Sequence, residues 1–109
     1  MQQFKDSRRC RFQRARKWIA AEDVIRFDHG GRTYAVYRSP ADEYFCTDGL
    51  CSHEAIHLCD GLVMDYTIEC PKHSGQFDYR TGEATRMPAC INLKTYKTKV
   101  AIGRVQIEI

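Results

Sequence analysis

Two short stretches, Cys51-Ser52-His53 and Cys70-Pro71-Lys72-His73, each place one thiol close to one imidazole, with sixteen residues between His53 and Cys70. A fold that uses all four side chains must bring two separate loops to one point. Loops held at both ends by strands can do this, because the flanking ladder fixes where each loop aims its side chains. The surrounding sequence is built for that purpose. Val24-Ile25-Arg26-Phe27, Thr33-Tyr34-Ala35-Val36-Tyr37 and Glu43-Tyr44-Phe45-Cys46-Thr47 are rich in β-branched and aromatic residues and read as strands. The first two are separated by Asp28-His29-Gly30-Gly31, which reads as a hairpin turn, and the last two by a turn at Ser39-Pro40-Ala41-Asp42. Residues 48–61 have no sustained period and read as loop with one irregular turn.

Strand signals return at Leu62-Val63-Met64, Thr67-Ile68-Glu69 and Gln76-Phe77-Asp78-Tyr79, and Thr81-Gly82 marks a further turn. Leu93 to Val100 and Val105 to Ile109 read as a closing pair, with Val105, Ile107 and Ile109 alternating onto one face. Nothing suggests a long helix or an internal repeat. The expectation is an all-β fold of small antiparallel sheets.

Composition bounds the function. A chain of 109 residues has room for one core, 43% apolar and 28% charged residues are ordinary globular values, and no apolar run reaches membrane-spanning length. The net charge of +3 is unevenly spread: residues 1–17 hold seven Lys/Arg against Asp6, whereas ten basic and thirteen acidic residues leave 18–109 at −3. Residues 1–17 are therefore read as a basic, flexible extension without fixed structure, and neither a nucleic-acid nor a membrane partner is expected. No apolar core of a signal peptide follows the basic start, which points to the cytoplasm. In a reducing compartment the six cysteines are better explained by metal binding or as free thiols than as a disulfide framework.

The pairing of residue types decides the chemistry. A zinc finger groups Cys with Cys and His with His, so one Cys and one His in each half fits poorly. It fits a [2Fe–2S] centre in which two imidazoles replace two thiolates on one iron. Cys10, Cys46, Cys59 and Cys90 show no such spacing and are read as free thiols, Cys46 as a core residue of its strand; His29 reads as a solvated turn residue, and His57 as a neighbour of the site rather than a ligand.

The ligand pattern, together with His73-Ser74-Gly75-Gln76-Phe77-Asp78, Thr81-Gly82 and the Met87-Pro88-Ala89 loop, resembles the Rieske-type ferredoxins that serve bacterial ring-hydroxylating oxygenases. The resemblance covers residues 18–109, with a cluster-binding subdomain over about 46–90. More narrowly, residues 23–31 and Asp60-Gly61-Leu62-Val63-Met64-Asp65 are similar to the subgroup named after rhizopine catabolism. The resemblance implies one [2Fe–2S] cluster, with Cys51 and Cys70 on one iron and His53 and His73 on the other, each imidazole bound through the nitrogen nearer the backbone. It also implies what is missing. High-potential relatives link the two loops by a disulfide at the positions of Ile56 and Lys72, and donate hydroxyl hydrogen bonds to sulfur from the positions of Gly75 and Phe77. No such bridge or hydroxyl is available here.

The resemblance implies a non-enzymatic one-electron carrier between an NAD(P)H-dependent flavoprotein reductase and a terminal Rieske-type oxygenase. An oxygenase would need a second, mononuclear iron site on a larger domain. Two alternatives stay open at this point: a Rieske-like small subunit of an enzyme complex such as nitrite reductase, and a zinc-stabilised interaction module. The docking surface is expected at the cluster tip, flanked by Glu54, Lys72 and Gln76.

Overall fold

The computed structural model describes residues 23–52, 55–72, 74–101 and 104–108. The basic segment 1–17, Cys10, His53, Glu54, His73 and Ile109 lie outside the described residues. β1 (Asp23–His29), β2 (Arg32–Arg38) and β3 (Tyr44–Asp48) form an antiparallel meander closed at its edge by β8 (Thr95–Tyr96). A second antiparallel sheet holds β4 (Leu62–Met64), β5 (Thr67–Glu69), β6 (Gln76–Asp78) and β7 (Glu83–Arg86) in sequence order. β9 (Thr98–Ala101) and β10 (Arg104–Ile107) make a separate hairpin. The nearly all-β architecture agrees with the sequence expectation, and no helix among the described residues is long and apolar enough to cross a membrane.

The burial of β2 explains how these pieces stack. Tyr34, Ala35, Val36 and Tyr37 are all buried, although adjacent residues of a strand point to opposite faces. Ala35 and Tyr37 pack with Val24, Ile68, Phe77 and Tyr79 on the side of the second sheet. Tyr34 and Val36 pack with Phe27, Cys46, Val105 and Ile107 on the side of the β9–β10 hairpin. The first sheet is thus the middle layer. Tyr37 and Tyr79 join it to the second sheet by stacking 4.4 Å apart with ring planes within 3°. The hydroxyl of Tyr37 bonds Thr47 Oγ1 at 2.8 Å, and Tyr79 donates to the carbonyl of Asp65 at 2.6 Å. Both buried rings therefore satisfy their polar ends.

Several boundaries differ from the sequence expectation. Asp28 and His29 are not in the turn: they pair with Thr33 and Arg32, and only Gly30 and Gly31, both at positive φ (61° and 81°), make the connection. A two-residue hairpin turn of type I′ needs that conformation at both positions, which glycine adopts without steric cost. His29 is half-buried and its ring stacks on Phe27 at 6.1 Å, so it is not a solvated turn residue. The expected strand Leu93–Val100 is two strands: β8 pairs with β3, and β9 pairs with β10. Leu93 and Lys94 precede β8, with the Leu93 N–H bonded to Gly82 and the Lys94 carbonyl to Asp48. β7 carries no strand signal in the sequence, because its only inward residue is the small Ala84 opposite Phe77. The expected irregular turn within 48–61 is a 3₁₀ turn at Leu58–Asp60.

Candidate metal centre

The two candidate loops close in the same way. The Cys51 N–H donates to the carbonyl of Ile56 at 2.9 Å, and the Cys70 N–H donates to the carbonyl of Gly75 at 2.8 Å. Each cysteine thus stands at the base of a six-residue loop whose last residue is hydrogen-bonded back to it. The base of the first loop is extended by the Leu50–His57 bridge and by Leu58 N–H to the Gly49 carbonyl at 2.8 Å. The base of the second is the β5–β6 ladder, in which Glu69 faces Gln76. Cys51 and Cys70 are both buried and belong to the same packed core, together with Leu58, Ile68, Phe77 and Ala89. Two thiols from loops far apart in sequence therefore share one packed core.

A third loop, absent from the sequence reading of the site except as part of the resemblance, braces both. After β7 the Met87–Pro88 peptide is cis, and Ala89 N–H bonds the Arg86 carbonyl at 3.1 Å. Ser52 donates its hydroxyl to the carbonyl of Ile91 at 2.5 Å, tying the first loop to this segment. Gly75 packs so closely on Ala89 that a Cβ there would lie 3.0 Å from both its Cβ and its amide nitrogen. Met87 and Ile91, 76% and 63% exposed, leave an apolar rim on this third loop.

His57 is a structural residue of the first loop. Its Nδ1 accepts the Cys59 N–H at 3.0 Å, so the ring proton sits on Nε2, which donates to Thr33 Oγ1 at 2.8 Å. The imidazole caps the 3₁₀ turn and fastens the loop to β2. Burial, reinforced by the positive charge of Arg26 and opposed by Asp28 and Asp60, lowers its pKa below the ordinary value. Among the other cysteines, Cys46 lies buried in β3 as expected, Cys59 is half-buried and Cys90 exposed, and all three are free. Burial pushes the Cys46 thiol far up, and burial with Asp60 nearby raises Cys59. Neither is set up to act as a thiolate.

Donor chemistry fits an iron–sulfur centre: two shielded thiols of one core stand on short, hydrogen-bonded loops. The Rieske [2Fe-2S] domain family matches residues 13–97, and the chain belongs to that family. The ferredoxin component of the naphthalene 1,2-dioxygenase system of Pseudomonas aeruginosa is 37% identical over 101 residues, covering 85% of this chain and 96% of the relative. The ferredoxin component of the 2,4-dinitrotoluene dioxygenase system of Burkholderia sp. (strain RASC) is 34% identical over 99 residues, covering 84% and 95%. Among solved structures, the Sphingomonas yanoikuyae B1 ferredoxin superposes with a TM-score of 0.79 at 34% identity, over 86% of this chain and 92% of that one. A chain of the complex of reduced oxygenase and oxidized ferredoxin in carbazole 1,9a-dioxygenase gives 0.79 at 28% identity, over 83% of both. The family carries an iron–sulfur cluster, and this chain, like its ferredoxin relatives, is an electron carrier and not an enzyme.

Proposed function

We propose that the chain takes single electrons from an NAD(P)H-dependent flavoprotein reductase and delivers them to a terminal Rieske-type oxygenase. The observation that carries this reading is the matched pair of closed loops with Cys51 and Cys70 at their bases. Cys51 and Cys70 would hold one iron and His53 and His73 the other. A [2Fe–2S] centre, when bound, exchanges one electron, and neutral imidazoles in place of two thiolates raise its potential above that of a four-cysteine centre. The chain's own contribution is to fix the ligands and keep water away: the Cys–carbonyl bonds set each loop, His57 anchors the first, and Leu58, Ile68 and Phe77, all at 0% exposure, back the site.

The oxygenase partner is supported by the relatives, which are components of dioxygenase systems, and by the ferredoxin–oxygenase complex. The finer reading places the chain in the rhizopine-type subgroup, on residues 23–31 and 60–65, and in the cytoplasm, with residues 18–109 sufficient for the cluster and 1–17 a dispensable extension. The test is composition together with ligand removal. The purified chain should contain two irons and two acid-labile sulfides, the content of one such centre. Cys51→Ser and Cys70→Ser should each abolish the visible spectrum and the EPR signal of the reduced state, and retention of either signal unchanged would refute the ligand set.

A further inference from the structure

Four aspartates are each answered by an arginine: Asp28 by Arg26, Asp42 by Arg38, Asp48 by Arg32 and Asp78 by Arg80. Among the described residues no ion pair reaches Asp60, Asp65 or Glu69, and these three surround β4, an edge strand of the second sheet. Register then orders the surface. Leu62 lies opposite Glu69, Glu69 opposite Gln76 and Gln76 opposite Arg86. Directly opposed residues share a face, so these four make one row across the outward side of the sheet. The neighbouring row, Val63, Ile68, Phe77 and Ala84, turns inward to the core. Glu69 precedes Cys70 and Gln76 follows Gly75, so the outward row borders the second ligand loop.

Among the described residues no strand pairs with the outer edge of β4. Leu62 is 57% and Met64 39% exposed, two residues apart on one face, and β4 carries neither the lysine nor the proline that commonly blunts an edge strand. Beside Leu62 a groove of about 360 Å³ is lined by Asp60, Leu62, Glu69, Cys70, Pro71 and Ser74. It has apolar walls in Leu62 and Pro71 and two carboxylates in Asp60 and Glu69. A long cationic side chain matches both features, since its methylene stem covers apolar surface while its head meets carboxylates.

We propose that this groove receives a lysine or arginine side chain from the docking face of a redox partner, seating the partner against the loop that carries Cys70. The proposal rests on the electron-carrier reading and adds the side of the site on which the partner sits and the charge it presents. Arg86, two strands away on the same row, sets the direction, because a basic partner is favoured at the Glu69 end and repelled at the other.

The test uses the cluster-loaded chain, reduced and mixed in a stopped flow with cytochrome c as a lysine-rich acceptor. One electron passes from the chain to the ferric haem iron at each productive encounter. At low ionic strength Asp60→Asn, Glu69→Gln and Leu62→Lys should each slow the second-order rate by about three- to tenfold, an effect that fades at high salt. Glu83→Gln, at the far end of the same sheet, should change it less than about twofold. A second readout needs no turnover: hexaamminechromium(III), a redox-inert paramagnetic cation, should speed relaxation of the reduced-state EPR signal in the wild type and less so in Glu69→Gln. Unchanged rates in all three groove variants, or an equal loss in Glu83→Gln, would overturn the groove. Absence of any one-electron EPR signal in the wild type would instead overturn the carrier reading.

Discussion

His57 and Thr33 are joined by a 2.8 Å hydrogen bond between Nε2 and Oγ1, and that bond ties the loop bearing Cys51 to the central strand of the first sheet. The ring is held neutral by its geometry, since a protonated Nδ1 could no longer accept the Cys59 N–H.

That neutrality makes stability depend on pH. His57 has its pKa lowered from 6.5 by burial and by Arg26, while Asp28 and Asp60 act against the shift. The unfolded chain therefore binds the proton more readily than the folded one. Stability from this residue is complete above about 6.5, falls as pH drops through the lowered value and is then constant. His57→Asn keeps an acceptor for the Cys59 N–H but cannot titrate. Compared with wild type across a pH series, its melting temperature should lack that decline, at the cost of about 0.5–1.5 kcal/mol for the lost Thr33 bond. Parallel curves for the two proteins would contradict the assignment.

The reduction potential should lie near the low end of the Rieske range, about −150 mV. Hydrogen bonds to sulfur stabilise the reduced state, and Gly75 and Phe77 supply no hydroxyl. Phe77→Tyr should raise the midpoint measured by protein-film voltammetry. Gly75→Ser is the poorer experiment, because its Cβ would press on Ala89 at 3.0 Å, including the backbone nitrogen. We expect it to lower thermal stability, with any gain in potential offset by displacement of the third loop. A wild-type midpoint near +300 mV would show that other donors reach the sulfur atoms.

Leu58 has no exposed surface and lies in the 3₁₀ turn behind the first loop. Leu58→Ala should destabilise the fold by about 2–5 kcal/mol, seen as a lower melting temperature and faster bleaching of the visible spectrum. Met87→Ala, at a side chain 76% exposed, should stay within about 0.5 kcal/mol of wild type. Equal effects of the two substitutions would mean that Leu58 does not support the site.

The sequence by itself marked two Cys–His pairs as candidate donors, and determined a turn around Gly30-Gly31, the strands β4, β5 and β6 and the inward face of Val105 and Ile107. These are local signals: a period of two, a turn that requires positive φ, and donors whose chemistry does not depend on their neighbours. Only the tertiary structure decided what holds the loops. Glu83–Arg86 becomes a strand because Phe77 and Gln76 offer it a ladder, although its own residues show no strand pattern. Residues 93–100 divide because Thr95 and Tyr96 pair with β3 while Thr98 to Ala101 pair with β10. His57 is buried because Thr33, twenty-four residues earlier, faces its Nε2, and Ser52 finds its acceptor at Ile91, thirty-nine residues later. Long-range pairing leaves no periodic trace in the chain, since a buried hydrogen bond is specified by where two segments meet and not by the residues beside either one.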